Sequence, residues 1–170
     1  MRLHPRLFNR FLVITAIISA AAILFFGIRY QANQESALRE RVGSGAEFVL
    51  EKMPSFDVPG DSVRVIDYAG RWVLLQFWST WSPPSLDALH SLPHRPDLIV
   101  IAAHVRDDST SVADYLLTTS YDHRFVAGTT IFQKYAFTGV PSFVLFDPNG
   151  RLHALHVGFA DTETVESYLP

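Results

Sequence analysis

Apolar residues fall in blocks along this chain, and the blocks differ in kind. Phe11 to Ile28 is 18 residues without a charge. As a helix it is about 27 Å long, close to the ~30 Å hydrocarbon core of a bilayer. Three shorter blocks are rich in β-branched and aromatic residues: Trp72 to Trp78, Leu98 to His104 and Ser142 to Phe146. Continuous apolar runs of this length predict strands buried on both faces. The third ends in Asp147-Pro148-Asn149-Gly150, a turn signal, so Arg151 to Phe159 is expected as its hairpin partner. Helices are expected over Ser82 to about Leu92, Ser109 to about Thr119, Thr130 to Phe137 and Thr162 to Leu169. Strand–helix–strand, then helix, hairpin and helix, predicts an α/β sandwich with a mixed sheet.

Arginines bracket the long apolar block. Arg2, Arg6 and Arg10 precede it with no acid, and Arg29 and Tyr30 follow. Beyond it, Arg29, Arg39 and Arg41 are offset by Glu35 and Glu40. The positive-inside bias puts residues 1–10 in the cytoplasm, a transmembrane helix at 11–30 and everything later outside. Its end, Gly-Ile-Arg-Tyr-Gln-Ala, shows no small-x-small site, which favours an anchor over a cleaved signal peptide. Residues 31–41 are polar and helix-forming and precede Gly43-Ser44-Gly45, so 31–45 reads as a stalk ending in a flexible joint. Residues 46–170 are then the functional domain, with 8 Lys+Arg against 15 Asp+Glu.

Composition narrows the chemistry. The chain has 170 residues, 48% hydrophobic, a net charge of −3 and no cysteine. There is no basic footprint for nucleic acid. A disulfide framework, a thiolate nucleophile, a zinc–sulfur site and a lipoprotein anchor are all excluded.

Within the domain, Gly70-Arg-Trp-Val-Leu-Leu-Gln-Phe-Trp-Ser-Thr-Trp-Ser-Pro-Pro-Ser85 resembles the thioredoxin-fold segment of the TlpA/ResA group of membrane-anchored extracytoplasmic thiol–disulfide proteins. That group reads G-K-x-V-x-x-N-F-W-A-T-W-C-P-P-C there. Met53-Pro-Ser-Phe-Asp-Val58 is similar to its A-P-x-F-x-L opening strand, and Thr138 to Gly150 is similar to its G-x-P-T-x-F-x-I-D-x-x-G. The resemblance spans about residues 46–170 and implies a thioredoxin-like mixed sheet flanked by helices. It also implies a cis peptide at Val140–Pro141.

The resemblance breaks at the chemistry. Serines stand at both cysteine positions, Ser82 and Ser85, and a hydroxyl has neither the acidity nor the redox couple of a thiol. The basic residue, Glu and Pro that often follow in the family are here Leu86, Ala88 and His90, and Gln76 replaces an Asn. Thiol–disulfide chemistry by this chain is therefore not expected, and no catalytic residue is assigned.

Other chemistry has plain structural explanations. Ser82 suits a helix N-cap with Pro83 at the first helical position. His90, about 12 Å along that helix, is too far to act as its base. His90 and His94 are four apart, but Pro93 between them ends a helix; His153 and His156 have opposite strand parity; His104 and His123 stand alone. No metal site or cofactor is expected.

The resemblance leaves a groove that can accept an extended peptide beside the cis-proline without a thiol. Its residues are Trp81, Ser82, Pro83, Pro84, Val140 and Pro141. The function expected is a redox-inactive, membrane-anchored thioredoxin-like protein that binds extracytoplasmic or membrane proteins, as scaffold, accessory subunit or chaperone-like binder. The alternative is a Cys-to-Ser variant of a TlpA/ResA-type oxidoreductase, for example in cytochrome maturation. A histidine-based metal or small-ligand binder ranks third.

Overall fold

The computed structural model describes residues 5–56, 58–119 and 122–170, with side chains from residue 11 onward. Arg2, one of the three leading arginines, lies outside the described residues, as does Asp57 of the expected opening strand. The side chains of Arg6 and Arg10 likewise lie outside them.

The first helix, α1, runs unbroken over Pro5–Val42. Its apolar stretch is exposed and, by length and composition, able to cross a membrane. A short hairpin of β1 (Met53–Pro54) and β2 (Ser62–Val63) follows. Then come β3 (Trp72–Trp78), α2 (Pro83–His90), β4 (Leu98–His104) and α3 (Ser109–Thr118). The chain continues through β5 (Arg124–Ala127), α4 (Thr129–Lys134), β6 (Ser142–Phe146), β7 (Leu152–Val157) and α5 (Thr162–Glu166). The three central strands match the apolar blocks residue for residue. β5 escaped sequence reading: four residues beginning with an arginine are too few for a periodic signal.

The sheet order is β5-β4-β3-β6-β7. β3, β4 and β5 are parallel, while β6 and β7 run antiparallel to their neighbours. Alternation along β3 serves two cores. Val73, Leu75 and Phe77 pack with Phe48, Ile101, Val126, Phe132 and Val144 on one face. Leu74 and Trp78 pack with Leu89, Val112, Phe125, Leu145 and Val165 on the other. The register aligns Val157, Ser142, Phe77 and Ala103 in one row across the sheet. Beyond that row lie the turn after β3, the start of α2 and the loop before β6.

The end of α1 differs from a free stalk. Leu38 and Val42 are buried in the first core. Gln31 donates Nε2–H to the Val157 carbonyl at 2.9 Å, and the Val157 N–H donates to Glu35 Oε1 at 3.2 Å. Arg41 donates to the Ala136 carbonyl at 2.8 Å. The helix thus covers the outer edge of β7, which otherwise presents unpaired backbone groups.

Gly43-Ser44-Gly45 is likewise no loose joint. Gly43, at φ 58°, ends the helix by donating its N–H to the Arg39 carbonyl at 2.9 Å. At Gly45 a Cβ would stand 3.0 Å from the Phe146 ring and 3.1 Å from the Leu152 nitrogen, so close approach requires the glycine.

Candidate functional site

The turn after β3 is held from across the sheet. Asp107, just past β4, accepts the Thr80 N–H at 2.6 Å, the Thr80 hydroxyl at 2.7 Å and the Ser79 hydroxyl at 3.1 Å. Trp81 donates its indole N–H to the Arg106 carbonyl at 3.3 Å, yet leaves 60% of its surface exposed. Arg106 adopts φ 52° and donates its N–H to the Thr129 hydroxyl at 2.9 Å. Sequence reading missed Asp107, since nothing in its neighbourhood of chain marks a residue whose partners lie 27 and 28 positions earlier.

Ser82 occupies the N-cap position of α2, with Pro83 first in the helix, but its side chain makes no capping bond. Instead its carbonyl accepts the Ser85 N–H at 2.9 Å. The capping explanation for this serine therefore holds for its position and fails for its hydroxyl. Ser85 is fully buried, and its Oγ has no hydrogen-bond partner among the described residues. Pro83 and Pro84 are exposed. His90 closes the same helix, at the opposite end from Ser82.

Across the strand end, Val140–Pro141 is a cis peptide. Pro141 is buried and its carbonyl accepts the Gly158 N–H at 2.9 Å. Val140 is half-buried, and its own N–H and carbonyl make no hydrogen bond among the described residues. Phe77 pairs with Ser142, so the Val140–Pro141 peptide and the Trp81–Ser85 turn share one end of the sheet. The six residues that the sequence assigns to a groove therefore all lie at that end of the sheet.

Two buried polar groups lie behind them. Gln76 points its amide toward the Phe77 carbonyl at 3.5 Å, a marginal bond. His104 pairs in register with Trp78, rests against the edge of Phe56 at 5.1 Å between ring centroids, and among the described residues has neither ring nitrogen hydrogen-bonded. Burial pushes its pKa below the usual histidine value, partly countered by the nearby Asp107 charge.

This layout has known counterparts. A crystal structure of a DsbF homologue from Corynebacterium diphtheriae superposes with a TM-score of 0.61 at 18% identity, covering 70% of this chain and 82% of that one. The fold is thioredoxin-like. Sequence relatives of this thioredoxin-like chain include the thiol–disulfide oxidoreductase ResA of Halalkalibacterium halodurans, 25% identical over 93% of this chain and 90% of the relative. ResA of Bacillus cereus is 26% identical over 94% and 93%. No family model matches the chain. The absence of cysteine sets the thioredoxin-like domain apart from what those names describe, and fits a chain inactive in redox chemistry.

The remaining histidines are arranged differently from their sequence spacing. A β-bulge between Leu145 and Phe146 breaks the parity of β7. His153 packs edge-on against Trp72 at 4.9 Å and His156 stacks on Phe143 at 5.5 Å, so both reach the second core's face. His123 is not alone: its ring stacks 6.2 Å from that of His94, beside a cleft of about 280 Å³ shared with Asp122. Among the described residues no three His, Asp or Glu side chains converge as metal ligands.

Proposed function

We propose that this chain is a redox-inactive, membrane-anchored thioredoxin-like protein whose domain lies outside the cytoplasmic membrane and binds other proteins there. It serves as a scaffold or accessory subunit of a membrane complex, or as a chaperone-like client binder. The observation that carries this reading is the unused pairing capacity beside Pro141. Among the described residues the Val140 backbone donor and acceptor have no partner, and the exposed Trp81 indole stands at the same end of the sheet. An extended segment can pair with such groups by strand addition, and an exposed aromatic supplies the apolar anchor. None of this needs a thiol.

The anchor reading is supported by the exposed apolar surface of α1, which includes Phe11, Ile17, Ile23 and Phe26. The arginine bias on its N-terminal side supports a cytoplasmic N-terminus.

The test is gentle detergent extraction of the full-length protein, followed by native gel, mass spectrometry and crosslinking of wild type and Trp81→Ala. A discrete stoichiometric complex supports the subunit role. Substoichiometric clients support the chaperone-like role. An interaction set unchanged by Trp81→Ala removes the groove from the reading.

A further inference from the structure

The way α1 docks fixes which end of the domain lies nearest the apolar stretch. Gln31 bonds to Val157 and Arg39 to the His153 carbonyl at 3.4 Å, so the helix and β7 run antiparallel. Eight residues of helix advance about 12 Å, and four residues of strand advance about 13 Å. The two elements therefore lie alongside one another, and the strands of the sheet run roughly parallel to the helix axis. Gln31 is three residues beyond Ile28, the last residue of the apolar block, which is about 4.5 Å of helix rise. The end of β7 is thus within about 5–7 Å of the hydrocarbon boundary, the thickness of one headgroup layer.

That end carries the residues that the proposed reading assigns to the groove. Val157 is in register with Ser142, and Ser142 with Phe77. Two large exposed aromatics are presented there. Trp81, 60% exposed, follows β3, and Phe159, 50% exposed, follows β7, its carbonyl 3.3 Å from His156 Nε2. Exposed Tyr30 joins them on α1. Aromatic rings with a polar neighbour settle at the headgroup level of bilayers. Four carboxylates at this end accept from backbone N–H groups: Glu35 from Val157, Asp107 from Thr80, Asp108 from Ser111 and Asp161 from Thr164; Glu163, in the first turn of α5, is exposed. By contrast, exposed Leu117 sits near the far end of α3, and exposed Leu50 lines a cleft with the β6–β7 turn, at the opposite end of the sheet.

We infer that the domain stands on the bilayer with its groove end down, and that the lipid headgroup surface is what covers Trp81 and Phe159. The inference rests on the anchor reading above but not on protein binding.

The chain has no cysteine, so single-cysteine variants take one label each. Full-length Trp81→Cys, Phe159→Cys, Leu117→Cys and Leu50→Cys carry a fluorophore in vesicles of phosphatidylethanolamine and phosphatidylglycerol, with or without lipids bearing a headgroup nitroxide. Positions 81 and 159 are expected to be quenched severalfold more than 117 and 50. A Gly-Ser-Gly-Ser insertion between Tyr30 and Gln31 is expected to abolish the difference. Equal quenching at all four positions overturns the inference while leaving the anchor standing. Release of the protein from the vesicles by alkaline carbonate overturns both. Positions 81 and 159 report independently, since both side chains are exposed and lie on different segments of chain.

Discussion

Asp107 and Thr80 are joined twice, by the Thr80 N–H at 2.6 Å and its hydroxyl at 2.7 Å, so one carboxylate fixes the turn that carries Trp81. Hydrogen bonds to a charged acceptor are the stronger kind. Asp107→Ala is expected to cost about 2–3 kcal/mol, and Asp107→Asn less, because an amide oxygen still accepts from Thr80. Urea unfolding of the detergent-solubilised chain measures the cost. A change in Trp81 emission reports the loosened turn.

Ser85 gives the opposite sign. Its hydroxyl is fully buried inside a helix, with no partner among the described residues. Ser85→Ala removes the stranded polar group and improves helix propensity, so a gain of about 1 kcal/mol is expected. A loss of stability shows instead that the hydroxyl is satisfied.

The backbone at 82 and 85 spans one helical turn, with the Ser85 N–H on the Ser82 carbonyl at 2.9 Å. Ser82 is the extended N-cap and Ser85 lies in the first turn of α2, the positions at which the group that this chain resembles carries its Cys-x-x-Cys pair. The double variant Ser82→Cys with Ser85→Cys is expected to form an intramolecular disulfide on oxidation and to reduce disulfides when recharged. Thiol titration and mass spectrometry follow the first, insulin reduction the second. Wild type is expected to give neither.

Acid should destabilise the domain through its buried histidines. Burial holds His104 and His123 below the ordinary value of 6.5, with the His94 charge adding to the effect at His123. The unfolded chain then binds protons near pH 6.5 that the folded chain refuses until lower pH. Stability is therefore full above about pH 7 and falls as pH drops from 6.5 toward the depressed folded values. Urea midpoints at pH 7.5, 6 and 5 measure the slope, and His104→Leu is expected to flatten it.

The domain needs the end of α1. A chain beginning at Gln31 keeps Leu38 and Val42 in the core, whereas one beginning at Ala46 lacks both. Burying two such side chains contributes about 3–5 kcal/mol, so the shorter chain is expected to unfold at much lower urea. Equal midpoints for the two show that the helix merely rests on the sheet.

How far the sequence foretold this molecule depends on where each residue's partners lie. β3, β4 and β6 were legible to the residue because a strand buried on both faces leaves an uninterrupted apolar run. The turn of Trp81 to Ser85 and the cis peptide at Pro141 were legible through a motif. Less visible were features whose cause is distant. Gln31, Glu35 and Arg39 look like a solvated stripe until β7, more than a hundred residues later, supplies backbone groups for them. The bulge at β7 reversed the facing of His153 with no turn residue to announce it. Asp107 and the His94–His123 stack join segments of chain that carry no shared pattern.

The cover over the β7 edge also sets an order of events. Its bonds join positions 122 and 126 apart in sequence, linking an early segment of chain to the last strand of the sheet. Until that strand arrives, Leu38 and Val42 have an incomplete core and the outer side of β6 is an open edge able to recruit a foreign strand. A chain stalled before β7 is therefore the sticky form of this protein, and completing the final strand both closes the sheet and seats the helix against it.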